Sequence, residues 1–312
     1  MRIREPWPLA RTRQRRREFA AVFAGVPNNS LGDGLEIGAG DGFLASMVAQ
    51  HCRSFVTTDS YRARLAETPS ISGPAPRRLV CDARLLPFAD STFDFIFSSS
   101  VLEHVSDRPA ALAEMYRCLR PGGLMLHIMP SRTWKMLQLV FYYPHLLHAA
   151  ADILFQRLTV RAARPPAPRE LPASVPPSPA TALSPPAATA SCPKAERWSD
   201  QRQGRPSLRA VLRGALPRVH GEFPGHLSEW RGFGARPWID EFRSAGFHVH
   251  RVLLLPLYSG YGFGLERARG LGERLRLSSH NAFVITKDSD ASTCPRLRWF
   301  EQAPAPALAA PR

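Results

Sequence analysis

The sequence predicts an α/β protein built on one mostly parallel sheet with helices on both faces. Three observations predict it. Short apolar runs alternate with helical segments from Gly34 onward. The first run ends in a glycine-rich turn, Gly38-Ala39-Gly40-Asp41-Gly42, and the next two end on Asp59 and Asp82. Right-handed crossovers then bring all the strand C-terminal ends to one edge, where open α/β sheets bind ligands.

The elements follow in order. Arg11 to Val26 reads as a helix, with Phe19, Val22, Phe23 and Val26 on one apolar face, broken by Pro27-Asn28-Asn29. Gly34–Ile37 is the first strand, and Phe43–Cys52 is a helix. Phe55–Thr58, Arg78–Cys81 and Phe93–Ser98 are strands. Pro109–Leu119 is helical and stops at Arg120-Pro121-Gly122-Gly123, before a fifth strand at Leu124–Ile128. The apolar stretch that follows begins at Trp134 and runs to Leu158. Pro144, His145, His148 and Asp152 interrupt it, so it lacks the ~20 apolar residues of a membrane span. A lid helix over a pocket and a helix on a membrane surface both remain open. Ala162–Lys194 is rich in Pro, Ala and Ser and reads as a disordered loop. Trp238–Ala245 is a helix. Phe247–Leu255 and Asn281–Lys287 are strands that complete a seven-stranded sheet.

The expected organisation is therefore a basic helix in 1–30, a ligand-binding core in 31–130, and an insertion in 131–235 with its Pro-rich loop at about 162–194. Closing strands follow in 236–290, then a disordered tail in 291–312.

The chain has 312 residues and a formal charge of +15. That charge sits in the flanks, since residues 1–30 carry a net +5 and residues 31–130 a net −2. A nucleic-acid groove would put the basic residues around the site, so nucleic acid is not an expected partner. Five widely spaced cysteines, with no CxxC pair and no HExxH, make disulfides and a metal unexpected. A cytoplasmic setting fits, because the N-terminus lacks the apolar core of a signal peptide.

The glycine turn carries the strongest signal for chemistry. Glycines let the backbone take unusual dihedrals and let a ligand approach closely. One reading is a nicotinamide dinucleotide, but the third glycine of that fingerprint is Phe43 here. Glu36 and Asp41 would also repel a pyrophosphate. The other reading is S-adenosylmethionine, whose sulfonium and ammonium welcome the same acids, and the charge argument favours it. Asp59 can then accept the ribose hydroxyls. Asp82 can accept the adenine amino group, with the Ala83 N–H on a ring nitrogen, and Ser99 lies on the same edge. Each acid taken alone also suits a helix N-cap, but three acids at successive strand ends are harder to explain that way.

Leu35–Phe43, Asp59, Cys81-Asp82-Ala83, Leu86-Pro87-Phe88, Phe93-Asp94, Val101-Leu102-Glu103-His104-Val105 and Leu119-Arg120-Pro121-Gly122-Gly123 together resemble the successive motifs of class I methyltransferases. The resemblance is closest to the branch with the ubiquinone and menaquinone biosynthesis methyltransferases. It implies a Rossmann-like fold, S-adenosyl-L-methionine as cofactor, Glu36 at its methionine end, Asp59 at the ribose, and Asp82 with Ala83 at the adenine; the turn residues Gly38, Gly40, Asp41 and Gly42, with Ser99 on the same edge, complete the expected site. It covers about 31–130 well and 236–287 loosely. The insertion departs from the pattern where such enzymes bind substrate, so the acceptor does not carry over. The apolar 134–158 stretch leads us to expect a small, lipophilic acceptor and peripheral membrane contact. An RNA or protein methyltransferase is the second reading, and a cofactor-binding protein without catalysis the third.

Methyl transfer needs alignment and exclusion of water, and a base only where the acceptor carries a proton. His104, after the fourth strand, is the first candidate for that base. A packing role beside the adenosine is the alternative. His127 lies inside a strand and reads as core. His220 and His226 flank a segment able to close over a pocket. The Arg11–Arg17 cluster reads most simply as a solvated helix face.

Overall fold

The computed structural model describes residues 7–62, 76–162, 217–258, 261, 266–288, 291–303, 305 and 307–308. The expected loop at 162–194 lies, apart from residue 162, outside them. The chain divides into two units, residues 1–143 with 217–312 and residues 144–216.

The first unit holds the sheet. Its strands are β1 (Asp33–Ile37), β2 (Ser54–Asp59), β3 (Arg77–Val80), β4 (Phe93–Ser99), β5 (Leu119–Pro130), β6 (His248–Leu254), β7 (His280–Thr286) and a two-residue β8 (Ala307–Leu308). Their order is β3-β2-β1-β4-β5-β7-β6-β8. β1 to β5 run parallel, and β7 enters antiparallel between β5 and β6. The predicted seven-stranded, mostly parallel sheet is thus present, with β8 added at one edge. β5 is longer than expected, because the Arg120–Gly123 turn continues into the same strand.

Strand side chains alternate between faces, and each face has its own apolar layer. Phe95 and Phe97 of β4 join Leu124, Leu126 and Val284 on one side. Ile96 joins Leu35, Ile37, Met125 and Phe283 on the other. The first layer is covered by α1 (Trp7–Phe23), α2 (Phe43–Val48) and α8 (Leu297–Glu301). The second is covered by α3 (Arg108–Cys118) and α6 (Ala235–Ser244). α4 (Arg132–Ala162) and α5 (His226–Gly232) follow β5 in the insertion, and α7 (Glu266–Arg274) precedes β7. The boundary between the units falls inside α4 at Pro144.

Two expectations need correction. The arginines of α1 do not all lie on a solvated face. Arg15 is largely covered, donating to Ser99 Oγ and lying 3.6 Å from the buried Glu18. The 291–312 tail is not uniformly disordered either. Leu297 and Phe300 are buried, and the Phe300 ring stands 5.8 Å from Phe23 and 6.4 Å from Phe95. The Pro- and Ala-rich end of the chain hides one short helix that packs. Phe300→Ala should therefore cost about 3–5 kcal/mol of stability, read as a lower urea midpoint with an unchanged slope. A loss below about 0.5 kcal/mol, the scale of ordinary surface substitutions, would return this segment to the tail.

Candidate cofactor and acceptor site

The strand order reverses between β1 and β4, and ligands sit at such a point beyond the strand C-terminal ends. Here β1 delivers Glu36 and the glycine turn. Gly38, Gly40 and Gly42 take φ of 73°, 58° and 69°, which L side chains rarely adopt. A Cβ on Gly38 would stand 2.4 Å from Val101 Cγ2, whereas one on Gly40 would meet nothing within 4 Å. Gly38 thus lets the chain after β4 pack on the turn, and Gly40 leaves open space.

Asp59 holds the turn in place. The Gly40 N–H donates to its Oδ2 at 2.9 Å, and the Tyr61 N–H to its Oδ1 at 2.9 Å. Glu36 is buried and accepts from Thr57 Oγ1 at 2.5 Å. Burial pushes its carboxyl up to about 7, reinforced by Asp59 and Asp41 against the opposing Thr57 bond and Arg15. Asp41 caps the turn through the Phe43 N–H at 3.3 Å and faces Arg11 at 3.8 Å.

Asp82 differs from expectation in its surroundings. Its carboxylate is half-exposed and gripped by Arg84, with Nη2 to Oδ2 at 2.6 Å. That bond holds the acid below its ordinary range. Ala83 is half-buried beside it. Ser99 ends β4 and meets Arg15.

His104 closes a short helical turn after β4, and its ring lies 4.5 Å from that of His220. His220 in turn lies near Trp134, 5.0 Å between centroids with the rings tilted by 60°. Glu103 beneath them is fully buried, and neither carboxylate oxygen has a hydrogen-bond partner among the described residues. A cavity of about 250 Å³ adjoins this group, lined by Gln138, Tyr142, Arg218, His220 and Tyr261 together with the apolar Pro217 and Val219. His127 is the core residue expected. Its ring is buried against Phe242, bonded to Ser98, and held neutral by burial with its pKa lowered to about 3. His226 lies 3.7 Å from Glu229, which forms a fully buried ion pair with Lys135 at 2.6 Å. Neither Lys135 nor Glu229 was singled out from the sequence.

The glycine turn, the buried Glu36 and Asp59 at the end of β2 meet at one switch point, which suits a nucleoside-bearing cofactor. Residues 35–127 match the family model described as a methyltransferase domain. Over this segment the chain is similar to S-adenosylmethionine-dependent methyltransferases. A ubiquinone/menaquinone biosynthesis C-methyltransferase of Desulfotalea psychrophila is 35% identical over 113 residues, covering 35% of this chain and 45% of that protein. A malonyl-acyl-carrier-protein O-methyltransferase of Serratia marcescens is 35% identical over 92 residues, covering 30% of this chain and 36% of that protein. The chain therefore spans less than half the length of these relatives. A solved S-adenosylmethionine-dependent methyltransferase of Mesorhizobium loti is 14% identical, covers 86% of this chain and 96% of that one, and has a TM-score of 0.46.

Two outcomes test the site. Gly40→Ala should lower stability by only about 1 kcal/mol through its positive φ, yet abolish measurable cofactor binding by filling the open space. Cofactor affinity should also rise with pH through about 7, the Glu36 value, since a cationic ligand favours the ionised acid. Calorimetry at pH 6 and 8 should differ by at most about tenfold per pH unit, and Glu36→Gln should flatten the difference.

Proposed function

We propose that this chain transfers a methyl group from S-adenosylmethionine to a small acceptor bound against the face formed by Trp134, Tyr142 and His220. The observation that carries this reading is the pair of spaces at one sheet edge. The open space over Gly40 suits the cofactor, and the cavity beside His220 suits an acceptor.

In this reading Glu36 balances the charge of the methionine end, Asp59 takes the ribose, and Asp82 with Ala83 takes the adenine. Ser99 lines the same edge. The cofactor supplies an activated methyl group, and the chain aligns the acceptor and keeps water out. His104 remains the first candidate to receive a proton from the acceptor. The cavity lining is more polar than the apolar 134–158 stretch suggested. Met136, Val140 and Tyr143 of α4 are exposed instead of lining it. This supports an acceptor with polar groups for Gln138 and Arg218 and a ring for the tyrosines. No helix among the described residues is long and apolar enough to cross a membrane. The exposed α4 face keeps peripheral membrane contact as part of the proposal.

Asp59→Asn should weaken S-adenosylmethionine binding by about tenfold or more, the worth of charge-assisted hydrogen bonds, while the chain still unfolds cooperatively. If the unaltered chain shows no calorimetric signal with this cofactor, the reading fails.

A further inference from the structure

We propose that Glu103, His104 and His220 bind a divalent cation of the zinc class, which holds the acceptor's reacting hydroxyl beside the cofactor. The acceptor role rests on the function proposed above. The binding of the ion does not. It replaces the sequence-based expectation that no metal is bound.

Glu103 motivates the proposal. Its side chain is fully buried, and neither oxygen has a hydrogen-bond partner among the described residues. A buried carboxylate in that state is costly unless a cation meets it. The nearest positive candidates are two imidazoles, His220 Nε2 at 3.6 Å and His104 Nε2 at 4.0 Å from Glu103 Oε1. Both distances exceed a hydrogen bond. They are close to the roughly 3.4 Å that separates neighbouring ligands around a tetrahedral ion with bonds of about 2.1 Å. One ligand atom from each residue lies within 4.8 Å of the others.

The backbone holds the three together. The Glu222 N–H donates to the Glu103 carbonyl at 2.8 Å. Gly221 packs so closely that a Cβ there would stand 2.4 Å from the same carbonyl oxygen, at a φ of 76°. The segment with His220 is thus pinned on the turn with Glu103 and His104. That turn begins at Val101, which rests on Gly38. The ligands are therefore tied to the cofactor turn through one short run of chain.

Two histidines and one carboxylate leave a fourth position open, as catalytic zinc sites do. His220 also lines the cavity, so that position faces the proposed acceptor. With its Nε2 on the ion, His104 gives up the base role assigned above, and a coordinated hydroxyl would instead lose its proton to solvent. Its oxygen then bonds the methyl carbon as the carbon–sulfur bond breaks, and the sulfonium leaves as a neutral thioether. His145 and His148 make a weaker candidate, since His148 already pairs with Asp152 at 3.0 Å.

The test is equilibrium dialysis of the full chain against zinc chloride, with metal content read by mass spectrometry, and cobalt substitution followed by visible absorption. One zinc per chain is expected, with tetrahedral cobalt bands. His220→Ala and His104→Ala, both at partly exposed positions, should each weaken binding by at least about tenfold. Cofactor calorimetry on the same samples reports separately on the function proposed above. Absence of a stoichiometric ion, or full retention by both variants, overturns the metal site whatever the cofactor result. Loss of cofactor binding with zinc retained overturns the methyl-transfer role alone.

Discussion

A parallel sheet sends every strand's C-terminal end to the same edge, and a reversal of strand order opens a crevice there. In this chain the reversal falls between β1 and β4. Everything chemical hangs on that placement. β1 brings the glycine turn, β2 brings Asp59, and β4 brings Ser99 and the Glu103–His104 turn. Gly38 sets how closely the two sides meet, because Val101 occupies the volume a side chain would need. A wider gap would separate the cofactor turn from the acceptor-side residues, and methyl transfer depends on their alignment.

The edge is also electrostatically unbalanced. Glu36 and Asp59 are both almost fully buried, and Asp41 lies beside them. Its two acidic neighbours push Glu36 further in the direction burial already takes it, and such crowding weakens the folded state unless cations approach. The chain offers part of the answer through α1, where Arg11 faces Asp41 and Arg15 lies against Glu18 and Ser99. Glu36 is nonetheless left poised near neutrality. A cationic cofactor therefore meets a carboxyl that ionises as it binds. A phosphate-bearing cofactor would meet only repulsion.

Much of this frame was legible in the sequence, because it is written in local patterns. Alternating apolar runs give the strands, and acids at strand ends sit where the topology must place them. The parts that were not legible depend on distant residues. Phe300 becomes core only because Phe23 and Phe95 lie under it. Arg84 takes hold of Asp82 through side-chain rotamers that no spacing rule describes. Lys135 is buried only because Glu229, far along the chain, meets it inside. The polar lining of the cavity was hidden for the same reason. It combines Gln138 and Tyr142 with Arg218, His220 and Tyr261 from the far side of the insertion.

Under the proposed function, the acceptor would meet the 217–230 segment more than α4 alone. The segment is fastened at two points, by the Glu222 bond to the Glu103 carbonyl and by the buried Lys135–Glu229 pair. A buried ion pair adds little net stability, but removing one partner leaves an uncompensated charge and costs about 3–5 kcal/mol. It therefore acts as a registration device, since only one placement of α5 on the start of α4 satisfies both charges. With that placement set, His220 is carried to Glu103 and His104 on one side and to the cavity on the other. The cavity wall reaches the cofactor turn through the short run of backbone from Val101 to His104, so under the proposed function a substitution in the wall away from that run alters the acceptor and leaves the turn in place.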